Sequence, residues 1–338
     1  MVLNTKRLKE INVDLVKTAL KFEDFSTKNS ISIATGLSVA TCRNILDELM
    51  KSGEVKEIEL GASTGGRPSR RFVYNQNYAY VAILYTRIEG DERSIYCSVV
   101  NMLGAQIHEE YFRFDDISVK EIDEVLIIIT DLYPRIQVFS LGIPGVVRNG
   151  VVGICDFEKL CHLPLREYLM EKFNRIVTIE NDVNSASLGY YHKMINDNPE
   201  SLVYLYYPQN GIAGAGIIVN GRVINGQSNF AGEVSYMPLG ADREQQGLLQ
   251  NEPDKFVQFV AKTVLAVNSL LNPARVVFSG QWFTEDLMEQ IQKILTEKTP
   301  QGHIPELSYE LDIHDSYIDG LKFSGIYKLS CGFEIIQK

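Results

Sequence analysis

No stretch of this 338-residue sequence is apolar for long enough to cross a bilayer. The longest apolar run, Val125-Leu-Ile-Ile-Ile129, falls far short of the ~20 residues a spanning helix needs. The start, Met1-Val-Leu-Asn-Thr-Lys-Arg7, lacks an apolar h-region, which predicts no signal peptide, no membrane partner and a cytoplasmic protein. Cysteine is scarce as well. The five present (Cys42, Cys97, Cys155, Cys161, Cys331) are odd in number, scattered and without CxxC spacing. That usage points to reduced thiols and away from a disulfide framework or a zinc site. Five dispersed histidines make no metal constellation, so neither a metal nor another cofactor is expected.

What is present describes a globular chain: 45% of residues are apolar and 22% charged. Its length exceeds one ordinary core, so two or three domains are expected. The formal charge of −10 is unevenly spread. Residues 1–75 carry 12 Lys and Arg against 9 Asp and Glu, leaving 21 against 34 for residues 76–338. A mildly basic head on an acidic body suits a protein whose N-terminal part alone meets a polyanion.

The head, residues 1–75, reads as three short helices and a hairpin. Leu8, Ile11, Leu15 and Ala19 recur at helical spacing. A second helix runs from about Thr27 to Ala34. Gly36 turns the chain, and Ser38 caps a third helix from Val39 to about Lys51, which Gly53 ends. On that third helix Val39, Cys42, Ile45 and Leu49 form a buried stripe. Ser38, Ala40, Thr41, Arg43 and Asn44 lie at the start of its outward face. A helix, a glycine turn and a second helix make the helix-turn-helix layout, whose second helix reads base edges near its N-terminus. Any three-helix packing also leaves a polar face exposed, so the following residues matter. Strands at Val55–Leu60 and Arg71–Tyr74 flank a glycine-rich tip bearing Arg67 and Arg70, the makeup of a wing against a DNA groove.

Gly36-Leu37-Ser38-Val39-Ala40-Thr41, followed by Gly65-Gly66-Arg67-Pro68, resembles the DNA-binding head of the ROK family (repressors, open reading frames, kinases), in its regulator branch. The resemblance continues more loosely across residues 76–338, where strands and helices alternate. From spacing alone that body is α/β. The resemblance implies a two-lobed, sugar kinase/actin-like (ribonuclease H-like) body with a ligand cleft between the lobes. Leu141-Gly-Ile-Pro-Gly145 is similar to the loop lining the family's sugar pocket, and Glu180-Asn181-Asp182-Val183-Asn184 to its catalytic segment. Asn229-Phe-Ala-Gly-Glu233 resembles its sugar-side turn. Gly145, Asn181, Asp182, Asn229, Glu233 and Tyr236 are thereby the implied sugar contacts. Read without the resemblance, Asp182 could accept a proton, hold a sugar hydroxyl, or only cap the helix that follows.

The departures from the family pattern are equally informative. Kinases of the family carry an Asp-x-Gly-Gly-Thr-type phosphate loop after the first body strand. Here that place reads Val81-Ala-Ile-Leu-Tyr-Thr-Arg-Ile88, with no Asp and no Gly pair. Phosphoryl transfer rests on positioning phosphates, and bulky Leu84 and Tyr85 offer no open amides for them. The family's Glu-x-Gly-His and cysteine zinc module is replaced by Glu233-Val-Ser-Tyr236, without the His or the cysteines. The expectation is a DNA-binding regulator, a homodimer or homotetramer on a double-stranded operator. It would repress carbohydrate-utilisation genes in response to a sugar or sugar-phosphate effector, with no catalytic residue. An ATP-dependent sugar kinase that retains a DNA-binding head is the alternative.

Overall fold

The computed structural model describes residues 5–58, 70–89, 92–194, 201–209 and 212–329. In the head, α1 (Thr5–Lys21), α2 (Lys28–Thr35) and α3 (Val39–Ser52) start and stop for local reasons. The Thr27 hydroxyl accepts the Ser30 N–H while the Ser30 hydroxyl accepts the Thr27 N–H, which opens α2. Gly36, at φ 70°, ends it, and Ser38 opens α3 by accepting the Thr41 N–H at 3.1 Å. The antiparallel hairpin β1 (Val55–Ile58) and β2 (Arg71–Tyr74) lays Phe72 and Tyr74 onto Cys42, Ile45, Leu46 and Leu49 of α3. The tip between them, with Arg67 and the Gly65–Pro68 motif, lies outside the described residues.

Two head expectations need correction: Val39, expected in the buried stripe of α3, is exposed at the helix start while Leu46 is buried in that stripe, and the stripe of α1 is shifted. The buried face of α1 runs through Val13, Val16 and Leu20, while Leu8 is 44% exposed. The helix carries two overlapping apolar stripes. The Lys17–Glu54 ion pair at 2.9 Å, which ties α1 to the residue before β1, favours the valine stripe.

The body repeats one plan twice. β3 (Tyr80–Glu89), β4 (Glu92–Asn101) and β5 (Gln106–Phe114) form an antiparallel meander. After α4 (Val119–Leu132), β6 (Ile136–Ile143) pairs parallel to β3. A small hairpin, β7 (Gly145–Arg148) and β8 (Val151–Cys155), and α5 (Leu165–Phe173) lead to β9 (Ile176–Asn181), parallel to β6, and to α6 (Asp182–Lys193). The second round is β10 (Ser201–Tyr206), β11 (Gly214–Val219) and β12 (Arg222–Val223), again antiparallel. Helices α7 (Arg243–Leu249) and α8 (Pro253–Leu271) then precede β13 (Arg275–Ser279), parallel to β10. Last come α9 (Glu285–Lys298), β14 (Glu306–Glu310), parallel to β13, and α10 (His314–Leu329). Both five-stranded sheets share one order: third, second, first, fourth, fifth.

Strand alternation divides the packing. Ala82 and Leu84 of β3 face α4 and α5, while Val81, Ile83 and Tyr85 face inward. Against those inner residues and Leu202, Tyr204 and Val277 of the second sheet lie α6 and α10, held between the two sheets. α8 and α9 cover the second sheet's other face. Strands and helices alternate through the body as expected. Trp282 sits half-buried in the turn after β13.

α6 and α10 meet backbone to backbone. A Cβ on Gly320 would stand 1.8 Å from the Ser185 carbonyl oxygen, and one on Gly189 would stand 1.9 Å from that of Ser316. The Ser140 hydroxyl of β6 donates to the Leu321 carbonyl at 2.7 Å, pinning α10 to the first sheet. Gly320→Ala is therefore expected to force the helices apart and destabilise the fold by about 1–3 kcal/mol or more. Urea unfolding reads this directly, and an unchanged midpoint would mean that the two backbones do not touch.

Candidate functional site

The two sheets open onto a cleft of about 1150 Å³. β6 ends at Pro144 and Gly145, and β9 ends at Asn181, so neighbouring parallel strands deliver both to one rim, where α/β sheets hold ligands. Gly145, at φ 140°, has no room for a side chain: a Cβ would meet the Cys155 Cβ at 2.6 Å. Asn181 is the N-cap of α6, its Oδ1 accepting the Asn184 N–H at 2.9 Å. Its Nδ2 donates to the Gly145 carbonyl at 2.9 Å and to Asp182 Oδ1 at 2.8 Å. One side chain thus starts the helix, ties down the glycine loop and orients the carboxylate. Asp182 itself is the first helical residue, not the cap.

Gly145, Asn181, Asp182, Asn229 and Glu233 all line the cleft. Asn229 donates to the Val147 carbonyl, joining the second lobe to the hairpin of the first. Tyr236 does not line it. The Tyr236 ring is 52% exposed, takes a hydrogen bond from Arg243 at 2.5 Å, and has the guanidinium 4.3 Å over its face. Sequence reasoning missed Asp156, Tyr206, Arg243 and Tyr317, which also line the cleft. No motif carries them, and Tyr317 sits on a helix that the apolar pattern did not reveal. The Tyr317 hydroxyl is buried and has no hydrogen-bond partner among the described residues.

Electrostatically the cleft floor is crowded with carboxyls. Burial, reinforced by Asp156 and Glu233 against the opposing Val183 N–H, raises Asp182 to about 7. Burial also raises Asp156, and raises Glu233 against the pull of Arg243. Burial and the negative charge of Asp182 raise Tyr206 and Tyr317. Near neutral pH Asp182 therefore either donates or accepts a hydrogen bond, which matches a polyhydroxylated ligand. No group of three or more metal-ligating side chains occurs among the described residues. At the place of the family's phosphate loop, β3 runs unbroken through Tyr85–Ile88. Those residues pair with Tyr96, Ile95, Ser94 and Arg93 of β4, so the backbone there is in a ladder.

In the head, Ser38, Ala40, Arg43 and Asn44 are exposed and Thr41 half-buried. The Ser38 hydroxyl is occupied by its cap and by the Thr41 hydroxyl at 2.9 Å. Arg43 stands 3.8 Å from Asp47 with most of its side chain in solvent, and Arg70 pairs with Glu57 at 3.1 Å.

A raised carboxyl has a definite effect on stability. Asp182 titrates near 7 folded against an ordinary 3.8, so the folded chain holds the extra proton between those values. Stability then falls as pH rises through that window. Asp182→Asn is expected to lose less stability than the parent between a pH of about 4 and about 7. Thermal unfolding across this range checks it, and parallel curves for the two proteins would refute it.

The ROK family profile matches residues 88–252. The chain is 30% identical over 252 residues to the xylose repressor of Caldicellulosiruptor bescii, an alignment covering 70% of this chain and 60% of that protein. It is 25% identical over 252 residues to the DNA-binding transcriptional dual regulator NagC of Escherichia coli K12, covering 68% and 60%. It thus spans about 60% of the length of these curated relatives. Among solved structures it superposes on a ROK family transcriptional regulator described as a homologue of the E. coli MLC protein. That match has a TM-score of 0.70 at 17% identity, over 95% of this chain and 99% of that one. It also matches a ROK hexokinase from Thermus thermophilus, at TM-score 0.59 and 18% identity, over 74% and 99%. No helix among the described residues is long and apolar enough to cross a membrane. Residues 88–252 thus belong to the ROK family.

Proposed function

We propose that this chain is a sugar-responsive transcriptional repressor, with residues 1–75 as its DNA-binding domain and 76–338 as its effector domain. The observation that carries this reading is the course of α10. Its first turn places Tyr317 in the cleft, while Ile326 and Leu329 at its other end pack against the head's core, beside Met102 and Ala79. A helix shared by a ligand cleft and a helix-turn-helix core is a device for letting one alter the other. The names of the repressor relatives support it. So does the continuous β3, whose laddered backbone leaves no phosphate cradle and speaks against kinase activity.

On DNA, α3 would enter the major groove with Ala40, Thr41, Arg43 and Asn44 toward the bases. Arg67 and Arg70 would approach the adjacent minor groove. A palindromic operator then requires two copies of the chain. In the cleft, Asp182, aimed by Asn181, and Glu233 would take the hydroxyls of a sugar or sugar-phosphate effector, with the Gly145 loop at close range. Asn229 and Tyr236 would act by holding the lobes and Arg243.

Two measurements test this. A gel shift with promoter fragments should show sequence-selective retardation at low salt. Arg43→Ala should weaken it and reduce the discrimination between operator and mismatched DNA by about 1–3 kcal/mol. Absence of selective binding removes the DNA-binding reading. A thermal-shift panel of pentoses, hexoses, amino sugars and their phosphates should yield a stabilising effector, worth ~2.7 kcal/mol at a hundredfold excess over Kd. Asp182→Ala should abolish the shift. Turnover of ATP with any of these sugars, lost in Asp182→Asn, would instead establish the kinase.

A further inference from the structure

The hairpin rim of the cleft carries two thiols that the proposed function does not use. Cys155 closes β8, and Cys161 follows the 3-10 turn Glu158–Leu160. That turn folds the chain back so that the two sulfurs lie 3.6 Å apart. Both ends of the fold-back are anchored. Phe157 and Leu160 are fully buried in the first lobe's core. The His162 N–H donates to the Val152 carbonyl at 2.7 Å, and the Val152 N–H donates to that of Leu163 at 3.0 Å. The two thiols also share an acceptor, the Phe157 carbonyl, at 3.1 Å from Cys155 and 3.6 Å from Cys161. Both side chains are only half-buried, whereas Cys42 and Cys97 are sealed in cores. The pair is therefore held together and within reach of a small solute.

We propose that Cys155 and Cys161 form a redox-responsive dithiol that hydroperoxides oxidise reversibly to an intramolecular disulfide. In the first step the Cys161 sulfur, as thiolate, attacks a peroxide oxygen. The O–O bond breaks, a sulfenic acid forms on Cys161, and the alcohol or water leaves after taking up a proton. In the second step the Cys155 sulfur attacks the Cys161 sulfur. The S–O bond breaks, the S–S bond forms, and the hydroxyl departs as water with the Cys155 proton. The two thiols lose two electrons and two protons, and the peroxide is reduced by the same two electrons. Burial pushes the Cys155 thiol up to about 12, which keeps it protonated and suits it to the second, resolving step.

Closing the bond draws the sulfurs from 3.6 Å to about 2.05 Å. The contraction acts on both sides of Asp156, which lines the cleft, and on Cys155, which backs Gly145. Oxidation at this pair thus reaches the candidate site through two of its own residues. The sulfur chemistry stands whether or not a sugar binds there.

The experiment exposes the full chain to hydrogen peroxide, blocks free thiols with iodoacetamide and maps the tryptic peptides. Trypsin cleaves after Lys159 and so separates the two cysteines. The expected product is a single cross-link between the Cys155 and Cys161 peptides, lighter by two hydrogens and reopened by dithiothreitol. In Cys155→Ser, dimedone should trap a sulfenic acid on Cys161. In Cys161→Ser, Cys155 should remain unlabelled. The proposal is overturned if both cysteines still alkylate fully after peroxide, or if the cross-link goes to Cys331 or to a second chain. Passage of either sulfur to sulfinic acid with no cross-link overturns it equally.

Discussion

Much of this structure depends on two helices whose backbones touch. α6 carries Asp182 at its start, and α10 carries Tyr317 in its first turn. Gly189 and Gly320 let them cross at a distance no side chain would allow. Because both helices lie between the two sheets, their separation also sets how the lobes face each other. The Ser140 hydroxyl, itself accepting from Thr178 at 3.1 Å, fixes α10 to the first sheet. Close-packed interiors do not deform by degrees, so such a crossing holds the cleft in a definite shape.

The cleft in turn carries an electrostatic cost. Asp182 and Glu233 lie where burial disfavours their charge, and Asp156 and Glu233 add repulsion to Asp182. Arg243 relieves Glu233 from one side only. A fold retains such groups where a ligand's hydroxyls can satisfy them, since a buried polar group left unpaired costs about 1–3 kcal/mol. The partnerless Tyr317 hydroxyl beside them is another donor awaiting an acceptor. Asn181 differs in kind. Its three hydrogen bonds are already made within the protein, so it shapes the rim and aims Asp182.

What the sequence disclosed follows from which forces are local. Caps, glycine turns and apolar periodicity belong to neighbouring residues, so α2 and α3 were legible almost to the residue. Gly145, Asn181, Asp182, Asn229 and Glu233 came from motif resemblance, and the fold brings all five to one cleft. α10 escaped notice for a physical reason. Lying between two sheets, it buries Ser316, Tyr317, Gly320, Leu321 and Gly325 around its circumference, and no one-sided stripe marks it. Tyr236 was placed by its spacing from Glu233. The cation–π contact with Arg243 turns it away from the cleft, and nothing local foretells that pairing. Asp156 is positioned by the fold-back of the Cys155–Cys161 segment, which is likewise invisible to periodicity.

In the proposed function these pieces form one mechanical chain. From Tyr317 to Leu329 is about 18 Å along a single helix, short enough to move as a rod. Its far end, Ile326 and Leu329, packs against the core cluster that the head shares with Ala79 and Met102 rather than ending in a flexible tether. A shift of α10 thus repacks the head instead of merely reorienting it. Coupling between two sites is typically 1–3 kcal/mol, a sum that a few methylene contacts at such a joint supply. The lost phosphate loop fits the same logic. Once Tyr85 fills the first lobe's inner face, against Tyr96 at 4.9 Å and Tyr317 at 4.8 Å, the aromatic stack bears on α10 where a kinase would hold a nucleotide.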